Sequence, residues 1–253
     1  MRPSPIVLAA AALAAGLTLA VPAQAAPCGI DYLPLSQGSE WTYGLVPNPE
    51  NPKPGEVRVV LPSSLVIRVV KVEEAGDSTT ITLEEKLGDH AVETTLACTK
   101  DGLTISPQSF FFAGEPGGGL NMTLSDVKRV GVTYPGAKGF RSGASWVEKL
   151  TAHVVRAPAE GSGAKLAEGK VQIERRVSIG GRDRAETPLQ NFRATSVRLT
   201  LTGRAMVEPN LKVGVEMPDG PAVRLWFASG VGLVMATNRF GDTWQLTAVS
   251  KAE

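Results

Sequence analysis

The chain has 253 residues, with 26 Lys and Arg against 25 Asp and Glu, and 43% of its residues are hydrophobic. It is long enough for a substantial core, as one β domain or two small ones. Near-neutral charge gives no electrostatic argument for nucleic acid or an anionic membrane as a partner.

The first element is a signal peptide over residues 1–25. Arg2 is a basic n-region, Ile6 to Val21 is an apolar h-region, and Ala23-Gln24-Ala25 is an A-x-A cleavage site. The apolar run is short for a spanning helix, so removal is expected, with the mature chain starting at Ala26 and no transmembrane anchor left. Lipid attachment at Cys28 is not expected, because Cys28 follows Pro27 and lies beyond the cut. The protein is thus read as exported, either periplasmic or extracellular. Its two cysteines, Cys28 and Cys98, would then pair in an oxidising compartment. The bridge would close a loop of about seventy residues and contribute roughly 4 kcal/mol in the chain-entropy model.

Apolar residues after the signal alternate with a period of two. Trp41 and Tyr43 share one strand face. In TTITLEEKL, Ile81, Leu83 and Leu87 oppose Thr80, Thr82, Glu84 and Lys86. Pro47 to Gly55 and the Gly-rich Ala113 to Leu120 read as surface loops, and Leu124 to Val130 as a helical turn or short helix. Ala157 to Gly163 is the candidate boundary between halves. In KVQIERRVSI the apolar row Val171, Ile173, Val177, Ile179 is broken by Arg175. Arg175 and Arg176 with Arg182 and Arg184 form a local basic patch, read as a solvated face. In FRATSVRLTLT the apolar parity shifts between Phe192-Ala194 and Val197-Leu199-Leu201, as a β-bulge would cause. TWQLTAV closes the series. Turn signals such as Gly76-Asp77, Gly180-Gly181 and Asp219-Gly220 punctuate it. The expected fold is all-β: a curved, mostly antiparallel sheet, open or a half barrel, of about a dozen strands. It would occupy residues 26–253 as one domain, with a subdivision, if any, near 157–163.

Catalytic signals are sparse. His90 and His153 lie in separate strand-like contexts with no second ligand at a metal spacing. GFRSGAS does not have the G-x-S-x-G spacing of a nucleophile elbow. The neighbours Glu84 and Glu85 would point to opposite faces. Asn121 heads an N-x-T triplet. Gly230-Val231-Gly232 has no third glycine of a dinucleotide fingerprint and no helix after it, so it reads as a turn or bulge. No cofactor and no metal is expected.

Three stretches carry a family resemblance. DYLPLSQGSEWTYGL contributes Leu33, Pro34, Leu35, Gly38, Trp41 and Tyr43. AETPLQNFRATSVRLTL contributes Thr187, Pro188, Phe192, Ala194 and Val197. LWFASGVGLVMATN contributes Trp226, Phe227, Ala228, Gly230, Val231, Gly232, Leu233 and Val234. In order and spacing they resemble the TapB-like or DUF3108-like group of exported bacterial envelope proteins. The resemblance implies a curved antiparallel sheet, extracytoplasmic residence and no established catalytic residue. The expectation is an exported, non-enzymatic envelope protein of binding or structural type. Trp41 and Tyr43, joined by Trp226, would line the concave side. There they would either fill the core or hold an apolar, lipid-like ligand; an envelope protein is the other candidate partner. The alternative is a hydrolase whose site is assembled from distant strands.

Overall fold

The computed structural model describes residues 32–50, 62–119, 123–156, 167–207, 215–217 and 222–251. Its strands are β1 (Glu40–Val46), β2 (Ser64–Ala75), β3 (Ser78–Leu87), β4 (His90–Thr99), β5 (Gly102–Ile105), β6 (Thr123–Val130) and β7 (Tyr134–Pro135), followed by β8 (Ser145–Arg156), β9 (Ala167–Glu186), β10 (Asn191–Val207), β11 (Val215–Met217), β12 (Val223–Ala228), β13 (Gly232–Thr237) and β14 (Thr243–Ser250). A four-residue helix, α1 (Phe110–Ala113), and a 3-10 turn over Pro116–Gly119 lie between β5 and β6. The expected architecture is present: the described residues form one antiparallel sheet of 14 strands that is not closed into a barrel.

The strand order is β6-β8-β9-β10-β12-β13-β14-β1-β2-β3-β4-β5-β7, with β11 paired beside β10. Most neighbours are joined by hairpins, which a period-two pattern broken by Gly, Asp and Asn encodes. The candidate boundary at 157–163 lies outside the described residues. The strands on either side of it, β8 and β9, pair with each other up to Arg156 and Ala167.

Two local readings change. Leu124 to Val130 is not helical but lies within β6. Its alternation is disturbed because the β6–β8 register slips between Ser125 and Lys128, where Asp126 takes φ 51°. The parity shift in β10 does correspond to a bulge, but the extra residue sits on β9. There Gly180 and Gly181 together oppose Ser196. A Cβ on Gly180 would collide with Ser196 Oγ, which is why glycine suits the site. The β10–β12 ladder runs through this point without a break, from Thr195 to Leu199. By alternation, Phe192 and Ala194 therefore lie on the opposite face from Val197 and Leu199.

The order of the strands has a geometric consequence. β6 and β7 are the two edges of the path, yet only Gly131 to Thr133 separates them in the chain. Three linking residues can span about 14 Å between Val130 and Tyr134 Cα atoms. The sheet must therefore curl until its edges almost meet. Ile67, Ile81, Leu83, Leu103, Leu199, Leu225 and Leu246 on its concave face are all buried.

The Gly230-Val231-Gly232 stretch is the β12–β13 turn. Both glycines have positive φ, 68° at Gly230 and 110° at Gly232. A Cβ on Gly230 would meet nothing within 4 Å, whereas one on Gly232 would sit 3.1 Å from Trp41 Nε1. That indole N–H donates to Val231 O at 2.6 Å, locking β1 to the turn. Gly230→Ala should therefore cost about 1 kcal/mol, from left-handed backbone alone. Gly232→Ala should cost clearly more, because backbone strain and displacement of the Trp41 indole add. Denaturant unfolding of the two variants checks this; equal losses would show that the Trp41 contact contributes nothing.

Candidate functional site

The concave face is filled by the chain itself. The β5–β6 connection dips into it, and Phe110, Phe111, Phe112 and Ala113 of α1 are buried. Ser109 caps the helix by accepting from Phe111 N–H, and Gly114 closes it in the left-handed conformation. Phe110 packs on Tyr43 with ring centroids 4.9 Å apart and on Trp244 at 6.2 Å, and Phe111 meets Trp41 edge-on at 5.8 Å. Trp41 and Tyr43 thus lie on the concave side, buried against α1. The Tyr43 hydroxyl donates to Leu233 O at 2.8 Å, and burial pushes its pKa well up.

Trp226 is buried as they are, but from the other face of its strand. It sits beside Arg224 on β12 and opposite Ser196, one residue out of phase with the inward Leu225 and Phe227. Its indole donates to Asp183 Oδ2 at 3.0 Å, on the outer face, and that hydrogen bond is the main reason the Asp183 carboxyl titrates low. Cys98 is buried in β4; Cys28, its expected partner, lies outside the described residues, as does Asn121.

Two charged clusters are buried with the aromatic segment. The first is Glu85, on the inward row of β3. It accepts from Thr94 Oγ1 at 2.8 Å, from Ser109 Oγ, and from Phe110 N–H at 2.8 Å. Its carboxylate therefore holds the start of α1. Burial is the largest influence on it and raises its pKa above the usual 4.5, against those three donors.

The second cluster spans the seam between the sheet edges. Glu148 on β8 and Arg175 on β9 are register partners, and both are fully buried. Arg175 Nε donates to Phe112 O at 3.0 Å and Nη1 to Thr133 O at 2.7 Å. Its guanidinium lies 4.9 Å from the Tyr134 ring centroid and 5.2 Å from that of Phe112. Glu148 Oε1 accepts from Thr133 Oγ1 at 2.9 Å and from Arg129 Nη1. Arg129, on edge strand β6, donates through Nη2 to Ile105 O of β5 at 2.6 Å. The Thr133 hydroxyl is saturated: it donates to Glu148 and accepts from Arg129 Nη1 and Ile105 N–H. Glu148 Oε2 and Arg175 Nη1 stand 3.9 Å apart, so the two buried charges compensate each other. Of these residues Arg175 was noticed in the sequence, as the break in an apolar row. Glu85 and Glu148 break their rows in the same way: Glu85 among Ile81, Leu83 and Leu87, Glu148 beside Leu150, Ala152 and Val154.

Among the described residues, one contact is of the hydrolytic kind. Ser125 Oγ and His153 Nδ1, register partners on β6 and β8, are 3.4 Å apart on the exposed surface. Among the described residues no carboxylate is hydrogen-bonded to His153, so the third group that orients a catalytic base is not part of this pair. Glu84 and Glu85 point to opposite faces, as adjacent strand residues must. Among the described residues no group of three or more His, Cys, Asp or Glu could hold a metal ion, and no helix is long and apolar enough to cross a membrane.

No protein-family model matches the sequence, and no curated protein does. The likeness to TapB-like or DUF3108-like proteins therefore rests on the three quoted stretches. Two solved structures resemble the chain. One is a "putative exported protein with YmcC-like fold" from Bacteroides fragilis: 12% identity, 87% of this chain and 98% of that one covered, TM-score 0.48. The other is a "putative lipoprotein" from Parabacteroides distasonis: 11% identity, the same coverage of 87% and 98%, TM-score 0.46. Likeness at this level assigns this chain no ligand and no activity.

The Glu85 site generates a pH prediction. With a raised pKa the folded state holds the proton more tightly than the unfolded one. The stability from this group is full below the usual 4.5 and falls as pH rises through the raised value. Glu85→Gln removes that titration. The stability advantage of the native chain over the variant should therefore shrink as pH rises above the usual 4.5 and level off once it passes the raised value. An advantage that grows with pH, in melts recorded in matched buffers, would show that Glu85 is held as a carboxylate with a depressed pKa.

Proposed function

We propose that this is an exported, non-enzymatic envelope protein of binding or structural type, acting through its outer surface rather than through an internal site. The observation that carries this reading is the occupied interior. Phe110, Phe111 and Phe112 take the place on the concave face where an acyl chain would lie, and their backbone is tied down by Glu85 and Arg175. An apolar, lipid-like ligand would have to displace them. The signal peptide supports export, with cleavage before Ala26, and export supports a Cys28–Cys98 bridge that anchors the mature N-terminus to β4. Periplasmic and extracellular residence fit equally well.

Native mass spectrometry of protein purified from its own envelope tests all three elements. The expected species is the chain from Ala26, two hydrogen masses lighter than its fully reduced form and free of lipid. A stoichiometric acyl lipid would make the protein a carrier, and two alkylatable thiols would remove the bridge. The second reading, a hydrolase, rests on Ser125 and His153. Ester hydrolysis by the purified chain that Ser125→Ala abolishes would replace the first reading with this one.

A further inference from the structure

In the hairpin between β9 and β10, Ala185, Phe192 and Ala194 are buried in the core, and the opposite face carries cations. On one face, register partners come in three rows: Glu186 with Asn191, Arg184 with Arg193, and Arg182 with Thr195. The β9 bulge is what turns Arg182 and Arg184 to this side; without the extra residue at Gly180-Gly181 they would share the outer face with Arg176. Arg182, Arg184, Asn191 and Arg193, together with Asp183 and Phe192, line an open groove of about 490 Å³. Arg184 and Arg193 stand directly opposite each other, a like-charge pairing that is destabilising on its own. Beside the groove, Glu186 Oε1 lies 3.3 Å from Arg184 Nε, with both side chains largely exposed. Among the described residues Arg182 and Arg193 make no ion pair. Asp183 also lines the groove, and its Oδ2 accepts from the Trp226 indole.

We propose that this groove binds a phosphate group. The facing guanidiniums of Arg184 and Arg193 offer paired N–H donors to one tetrahedral oxyanion. Arg182, two residues along the same face, stands about 7 Å further on, where it meets a second negative charge. A soluble phosphate ester and a lipid headgroup share this chemistry. The site does not depend on the proposed function, since it lies outside the occupied interior.

The test uses the mature full-length chain and two probes: sodium pyrophosphate by calorimetry at constant ionic strength, and phosphatidylglycerol against phosphatidylcholine vesicles by co-sedimentation. Saturable binding of pyrophosphate is expected, weakened about tenfold or more in Arg184→Gln/Arg193→Gln, since charge-assisted bidentate contacts are lost. Arg198→Gln, on the other face, should leave it within about twofold, as expected for an exposed charge outside the site. Glu186→Gln removes the competing carboxylate and should tighten binding, which keeps the test decisive if the double variant folds poorly. The same variant pattern on phosphatidylglycerol vesicles alone would identify a headgroup as the source. No saturable binding of either probe, or equal losses in Arg198→Gln and the double variant, would overturn the proposal.

Discussion

The structure depends on how one open sheet is held curled. Its edge strands β6 and β7 are joined through Gly131 to Thr133, but they do not pair with each other. A curled sheet with an unpaired seam leaves backbone groups that must find other partners. Arg129, Glu148, Thr133 and Arg175 supply them. Arg129 reaches from β6 to Ile105 O, Thr133 takes Ile105 N–H, and Arg175 takes Thr133 O and Phe112 O. Side chains thus do at the seam what a ladder does elsewhere. A buried ion network of this kind is poor as a source of net stability, because desolvation consumes most of its Coulomb energy. What it provides is directional: Arg129 and Arg175 donate to the Ile105, Thr133 and Phe112 carbonyls and to Glu148, which apolar groups of the same volume would not specify.

The same network decides what the interior contains. A curved sheet with Trp41, Tyr43 and Trp244 on its concave face is a surface that needs a cover. The chain supplies it from its own β5–β6 connection, capped by Ser109 and held at Glu85 on one side and at Arg175 on the other. Aromatic pairs add their edge-to-face geometry to the burial. With the cradle filled, the surfaces left for partners are the outer face and the cationic hairpin arm.

The β pattern was legible because alternation is a local signal: one face of each strand is buried, and period two shows it directly. The bulge was legible as a parity shift, but its owner was not, because a shift in β10 looks the same whether the extra residue is its own or its partner's. Leu124 to Val130 misled because a slipped register erases alternation. Ala113 to Leu120 was read as a surface loop, yet Ala113 ends the buried helix α1. Three consecutive phenylalanines fit no period-two row, and only the tertiary fold reveals that they enter the core. Trp226 was placed with Trp41 and Tyr43 although its parity with Arg224 assigns it to the outer face. For the buried charges the signal was present in all three cases, as a charged residue in an apolar row; it was noticed only at Arg175, which was nonetheless read as part of a solvated basic face and is fully buried. A lone charge in such a row has two outcomes, a strand end in solvent or a buried ion pair. Sequence separates them only when the partner is known, and Glu148 is 27 residues away.

The central claim is that Arg175 holds the aromatic segment on the concave face. Native-state hydrogen exchange of the Phe110, Phe112 and Gly114 amides, compared between the native chain and Arg175→Met, tests it most directly. The substitution keeps an apolar stem but removes the donors to Phe112 O and Thr133 O and leaves Glu148 uncompensated. The account predicts that these amides lose protection selectively, while the amides of the β2–β3–β4 ladder keep theirs. Uniform loss across the sheet would mean that Arg175 supports only global stability, and unchanged protection of α1 would mean that the aromatic segment is held by packing alone; either result contradicts the account.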